Sequence, residues 1–319
     1  MIRNYLSTDA PALLALWNTA AVRDGFAPMD EALFRKLLLG HPDFDSALTF
    51  VLEENGEITG FANGCTGDHI PRGDVRGYVT CVILAEESPE DANALLEALE
   101  NAFRARGRIH SAVTFFNPIR LPWIIPGTAD HQHNNAPGIA TDLPLHDWML
   151  ARGYKEATRE CAMHLDLSSY ETPAWIEEKA AAMAERGYTV ARYDAKIHTG
   201  LDEMVEALQN PMWSAEIPAA GAAGMDLLVG LQGNTCAGFT GPVYPEPTGR
   251  GYFAGIGVAP QYEKNGLGTL LFYRLLEREK ETGARYMSLF TGEENHAKYI
   301  YLGAGFRIVR TFGVMLKEL

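Results

Sequence analysis

Apolar positions along this chain fall into short strand-like runs separated by stretches of helical spacing, and the same order occurs twice. In the first half a hairpin is predicted to turn at Asn55-Gly56 and return through Gly60-Phe61. In the second half the turn is Gly233-Asn234 and the return is Gly238-Phe239. These dipeptides supply the positive-φ residues that two-residue hairpin loops need. Arg76-Gly77-Tyr78 then opens the apolar run 79–85, and Arg250-Gly251-Tyr252 opens the run 253–259. A helix and another strand follow each run. Each half closes on a short helix and a Gly-aromatic pair, Gly153-Tyr154 and Gly305-Phe306. The shared order reads as a duplication. A boundary near 168–173 divides the chain into domains 1–168 and 174–319, each a mixed α/β unit.

The two copies differ at one loop. The run 252–258 stops before Pro260, and the loop Glu263-Lys264-Asn265 ends in Gly266-Leu267-Gly268-Thr269. Leu267, Leu270, Leu271 and Leu275 then recur at helical spacing. A helix start without a capping side chain points unpaired N–H groups and partial positive charge at one spot, where a phosphate group fits. Glycines let the backbone approach the anion, and Lys264 adds a cation. The matching loop of the first half is Glu86-Glu87-Ser88-Pro89-Glu90-Asp91. Ser88, Pro89 and Asp91 make a self-sufficient helix start there, and four carboxylates repel a polyphosphate.

Val258, Pro260, Tyr262, Gly266, Gly268 and Leu271 together resemble the pyrophosphate loop of the GCN5-related N-acetyltransferases (GNAT). The family pattern is Gln/Arg-x-x-Gly-x-Gly/Ala after a strand ending in Val-x-Pro; Glu263 stands in the Gln/Arg slot here. The stretch 294–306 is similar to the family's Asn-x-x-Ala-x-x-x-Tyr-x-x-x-Gly-Phe. Ala297, Tyr301 and Gly305 are in register, Glu294 is in the Asn slot, and Asn295 is one place late. The resemblance implies an α/β class (a mixed α+β sheet) built as two tandem GNAT-like acyl-CoA N-acyltransferase folds. It implies acetyl-CoA as co-substrate, no metal, and transfer of the acetyl group to a primary amine of a small molecule by direct attack in a ternary complex. Carrier contacts would come from Ile256, Gly257, Val258, Glu263, Lys264, Asn265, Gly266, Leu267, Gly268, Thr269 and Asn295. Tyr301 would be the general acid, since a phenol of pKa near 10 is protonated at neutral pH. Tyr299, two residues away, should face elsewhere on the helix. Met149 fills the matching slot of the first half and cannot donate a proton, so 1–168 reads as a non-catalytic copy. Tandem members of the family share this layout.

The attacking amine must first be unprotonated. Family members often carry a carboxylate on the fourth strand, but 252–258 holds none. Glu216, Glu246, Glu293 and Glu294 are candidate bases, and each also reads as a solvated surface charge. An aromatic amine, already neutral at pH 7, would need little help. Acceptor contacts are expected from 198–224. There Thr199 with Asp202 caps a helix over 201–209, Asn210-Pro211 ends it, and Trp213 precedes a pliant 219–224. Trp213, Glu216, Glu246 and Tyr252 are acceptor-site candidates, with His131 and His133 of the irregular segment 117–144. Long irregular segments are commonly functional, and this one reads as a cover for the second-half site. His131 and His133 have only Asp130 nearby, too few ligands for a metal.

A formal charge of −14 argues against broad nucleic-acid or anionic-membrane binding. With 47% hydrophobic residues a full core is available. No apolar run approaches membrane-spanning length and the first residues lack an apolar signal core, so a cytoplasmic monomer or homodimer is expected. Cys65, Cys81, Cys161 and Cys236 are far apart and read as buried, reduced thiols. A rival reading is a catalytically silent acyl-CoA-binding sensor or pseudoenzyme, to which Glu263, Glu294 and the missing strand carboxylate point. A third is a plain α/β interaction protein that binds no coenzyme A.

Overall fold

In the computed structural model, which describes residues 1–70 and 72–319, both expected hairpins form. Asn55 and Gly56 take φ of 51° and 85°, and Gly233 takes 61°, the positive values such loops require. The chain divides into two compact units. The first comprises Met1–Met163, Phe290–Asn295 and Ile308–Leu319; the second comprises His164–Leu289 and His296–Arg307.

In the first unit β1 (Ile2–Asn4), β2 (Thr49–Glu54), β3 (Glu57–Cys65) and β4 (Arg76–Leu84) run antiparallel in that order. Helices α1 (Ala10–Leu16) and α2 (Glu31–Phe34) supply Leu13, Leu16 and Phe34 to one core. Helix α3 (Pro89–Ala105) crosses over to β5 (His110–Val113), which lies parallel to β4. Ser88 caps α3, its Oγ accepting from the Asp91 N–H at 3.1 Å, so this helix start is closed as expected. Three short strands follow, β6 (Trp123–Ile124), β7 (Gln132–His133) and β8 (Ile139–Ala140), then α4 (Pro144–Ala151) and β9 (Lys155–Asp166). Met149 on α4 is fully buried among Leu95, Leu99 and Met315.

The second unit opens with α5 (Trp175–Ala184) and β10 (Tyr188–Arg192), followed by α6 (Leu201–Ala207) and α7 (Pro211–Ala222). Strands β11 (Leu228–Gln232) and β12 (Thr235–Thr240) form its hairpin. Then come β13 (Arg250–Gly251), β14 (Ile256–Val258), α8 (Leu267–Glu281), β15 (Tyr286–Gly292) and α9 (Ala297–Gly303). β10, β11, β12 and β14 form an antiparallel sheet in that order, while β13 pairs with β15 in parallel. α8 lays Leu267, Leu270, Leu271 and Leu275 on its buried face, as its spacing requires. Gly230 makes room for this helix: a Cβ there would lie 2.8 Å from the Leu267 side chain.

Three expectations are corrected. α6 is not capped by Thr199, whose backbone is engaged with Asn234 and Cys236; Gly200, at φ 75°, begins the helix instead. The expected pliant stretch 219–224 is helical as far as Ala222, within α7, which starts where Asn210 Oδ1 accepts from the Met212 and Trp213 amides and Pro211 takes the first helical position. The boundary near 168–173 also assigns the last strand, β16 (Arg307–Glu318), to the second half. In the structure Ile308–Leu319 belongs to the first unit, where β16 lies between β5 and β9 and pairs Met315 with Val113 and Glu318 with His110.

Cys65, Cys81, Cys161 and Cys236 are buried and form no disulfide. Burial pushes the Cys65 and Cys81 thiols up to about 12 and Cys236 up to about 11, which removes thiolate at neutral pH. Among the described residues no helix is long and apolar enough to cross a membrane.

Candidate active site

The expected strand 252–258 is broken. β13 and β14 are separated by 252–255, which has no regular structure. Trp213 on α7 accounts for the break: its Nε1 donates to the Ala254 carbonyl at 3.1 Å. A Cβ on Gly255 would lie 2.5 Å from its ring, and Gly255 takes φ 151°, so glycine is required there. Gly257, in contrast, is small for packing: a Cβ would meet Leu208 at 2.4 Å. One turn along α7 from Trp213, Glu216 Oε1 accepts from the Tyr252 hydroxyl at 2.7 Å. Tyr252 stacks on Tyr244 with ring centres 4.6 Å apart. The sequence candidates Trp213, Glu216 and Tyr252 therefore meet at the break. Glu246 does not serve as a free carboxylate, being held bidentately by Arg250 at 2.7 and 3.0 Å.

Beyond Ile256 and Val258, the loop after Pro260 turns through Lys264 (φ 59°) to Gly266 (φ 93°). Asn265 Oδ1 takes the Leu267 amide at 2.9 Å, and the Gly266 carbonyl takes the Leu270 amide. Gly266 offers no side-chain cap, so the Gly268 and Thr269 amides between them have no acceptor among the described residues. Two cations that spacing alone did not point to lie against this turn. A Cβ on Gly266 would sit 2.5 Å from Lys179 Nζ, and Arg186 donates to the Asn265 carbonyl at 3.3 Å. Lys179 lies on α5 and Arg186 in the turn just after it, so only the packing of this segment against the loop brings the two cations together. Glu263 is exposed, and among the described residues its carboxylate is not paired with these cations.

Tyr301 is buried on α9 against Phe272, Phe253 and Phe306, with ring centres 4.7, 6.5 and 6.2 Å away. Phe253 belongs to the strand break, so the phenol stands beside it. Burial pushes the phenol up to about 12. Its hydroxyl makes no hydrogen bond among the described residues. Tyr299 is 64% exposed and faces elsewhere, as helix geometry demands.

The other candidates lie in the first unit. Asn295 and Glu294 are exposed, and Glu293 donates its amide to the Arg159 carbonyl. His133 is buried between Trp123 and Phe290, at 6.0 and 5.5 Å between ring centres, and His131 precedes it in the same small ribbon. Among the described residues no cluster of three metal-ligating side chains occurs.

Residues 166–301 match the family model for the acetyltransferase (GNAT) family. This segment is a GNAT domain. It contains the broken strand, the open helix start and Tyr301. The fold of the whole chain is similar to that of solved GNAT proteins. One is a GCN5-related glucosamine N-acetyltransferase region of a fungal multi-domain GH3 beta-N-acetylglucosaminidase, at TM-score 0.70 and 15% identity over 99% of this chain; the chain spans only 38% of that protein. A GNAT protein of Sphaerobacter thermophilus follows at 0.66 and 16%, over 100% of this chain and 95% of its own. A tandem GNAT protein from the clavulanic acid biosynthesis pathway gives 0.59 and 17%, over 100% and 98%. At such identities the likeness concerns the fold, and it bears out the expected mixed α/β class. No curated protein sequence matches the chain significantly.

Proposed function

We propose that this chain is an acetyl-CoA-dependent N-acetyltransferase acting on a primary amine of a small molecule, with catalysis confined to its GNAT domain and none in 1–168. The open Gly268 and Thr269 amides at the start of α8, with Lys179 against Gly266, are the observation that carries this reading. Acetyl-CoA, when bound, would supply the activated acyl group as its thioester. The Gly268 and Thr269 amides with Lys179, Arg186 and Lys264 form a site suited to its phosphates. β14 ends its sheet, so Ile256 and Val258 offer backbone groups to an extended arm. Tyr301 holds a proton at Oη beside the strand break. Glu216 stands ready to take one through Tyr252. The stacked Tyr244 and Tyr252 with Trp213 give the acceptor aromatic walls, which favours an aromatic amine.

Thermal-shift titration with acetyl-CoA, then coenzyme A release across a panel of amines, tests the reading. Binding with amine-dependent release is expected. Binding without turnover on any amine would support the sensor instead, and no binding would remove both. Gly266→Val should raise the acetyl-CoA Kd about tenfold or more, because a side chain at φ 93° strains the turn and pushes Lys179 away.

Glu216→Gln keeps an acceptor for Tyr252 and removes a base. It should lower the rate on an alkylamine about tenfold and barely change that on an arylamine. Equal losses on both would count against Glu216 as base. An alkylamine rate that stays high well below the amine's pKa would count against an arylamine preference.

A further inference from the structure

Two consecutive carbonyls of the strand break are held by side chains rather than by a neighbouring strand. From α7, Trp213 Nε1 holds the Ala254 carbonyl at 3.1 Å. Thr240, fully buried at the end of β12, donates its hydroxyl to the Gly255 carbonyl at 3.2 Å. Two separate elements thus pin the break from its carbonyl side.

A trans peptide points its N–H opposite to its C=O. Tying the Ala254 carbonyl therefore turns the Gly255 amide away from Trp213, and tying the Gly255 carbonyl turns the Ile256 amide away from β12. The register of the sheet agrees. Ala259 donates to the Ala237 carbonyl at 2.9 Å, and further along β12 pairs Phe239 with Gly257 and Thr240 with Ile256. Hydrogen-bonded pairs alternate along an antiparallel ladder, so Gly257 bonds to Phe239 and the Ile256 amide faces the free edge of β14. Among the described residues the amides of Phe253, Ala254, Gly255 and Ile256 have no acceptor, although Gly255 is buried. Buried N–H groups are nearly always paired. Open amides on a free sheet edge, beside a phenol that packs on Phe253, fit a carbonyl oxygen that gains negative charge.

We propose that Thr240 is a positioning residue of the transfer reaction: with Trp213 it fixes the break so that the Ile256 amide donates to the carbonyl oxygen of the acyl thioester. The inference rests on the proposed function and adds to it the residue that aims the donor. As the amine's lone pair attacks the carbonyl carbon, the C=O π pair moves to oxygen, where the Ile256 N–H meets the growing charge. When that pair returns, the C–S bond breaks and its electrons leave on sulfur. Tyr301 gives the sulfur a proton while the nitrogen gives one up. Thr240 acts through Gly255 alone, by limiting how far the amide can turn.

Infrared difference spectra of the full chain with acetyl-CoA, unlabelled and carbon-13-labelled at the acetyl carbonyl, test this without any amine. In the wild type the bound thioester stretch should lie below that of free acetyl-CoA. Thr240→Val, which keeps the shape and loses the hydroxyl, should return it toward the free value, and Thr240→Ser should keep it low. With the best amine of the panel, Thr240→Val should lower kcat about tenfold or more with the acetyl-CoA Kd within about twofold, and Thr240→Ser should stay within about threefold of wild type. If Thr240→Val fails to fold, Trp213→Phe, which unties the Ala254 carbonyl, should move the stretch in the same direction. A stretch or kcat left unchanged in the folded variant, or no rescue by serine, would overturn this inference alone. A wild type that binds no acetyl-CoA would remove it together with the proposed function.

Discussion

Tyr301→Phe is expected to lower kcat about a hundredfold or more on any accepted amine, with the acetyl-CoA Kd and the melting temperature near wild type. The ring keeps its packing against Phe272, Phe253 and Phe306. No buried partner is orphaned, because the hydroxyl bonds to none of the described residues. Only the proton at Oη is lost. With the phenol at about 12, that proton is present throughout the working range, so Tyr301 should add no basic limb to the pH–rate profile below about pH 10. Outright transfer to a thiolate of ordinary pKa, about 8.5, would run uphill by roughly 5 kcal/mol. On the proposed function, the hydroxyl would act first as a hydrogen-bond donor to the charge growing on sulfur and would give up its proton late. A wild-type kcat in this variant would reduce Tyr301 to a core aromatic.

Glu279→Gln should change how stability varies with pH. Glu279 lies on the buried face of α8 beneath Gly251, where a Cβ would come within 2.7 Å of its Oε2. Neither carboxyl oxygen has a hydrogen-bond partner among the described residues. Burial pushes this carboxyl up to about 9, against the pull of Arg250 and together with the charges of Asp226 and Glu246. In the unfolded chain it titrates near 4.5. Between those values the folded state holds a proton that the unfolded state has released. Stability from this group is thus fully present below about pH 4.5 and is lost as pH rises through 9, at about 1.4 kcal/mol per pH unit. From pH 5 to pH 8 the loss is about 4 kcal/mol. The glutamine variant lacks this slope. It should be less stable or equal near pH 5 and more stable by about 1–3 kcal/mol at pH 8, after the ~1–3 kcal/mol cost of its own buried amide. Urea unfolding at three pH values measures this, and parallel pH dependences for the two proteins would contradict it.

Features set by local chemistry could be read from the sequence. Asn55-Gly56 and Gly233-Asn234 turn because their own backbones allow it, and Ser88 caps α3 across three residues. Tyr301 could be placed because Ala297, Gly305 and Phe306 fix its register on a short helix. What required distant partners was not legible. The strand break at 252–255 depends on Trp213, which arrives from a helix earlier in the chain. That helix is itself hidden in the sequence, since Asn210-Pro211 stops one helix and starts the next. Lys179 and Arg186 become relevant only when α5 and the turn after it meet the loop before α8. The 117–144 segment has no periodic pattern, so its three short strands appear only in three dimensions.

Because β16 fills the gap between β5 and β9, the first unit cannot complete its sheet until Ile308–Leu319 has left the ribosome. Early domains commonly settle while later ones are still being made. Here the amino-terminal half must linger with an exposed seam, and clipping Ile308–Leu319 would undo the part of the molecule farthest from the cut in sequence.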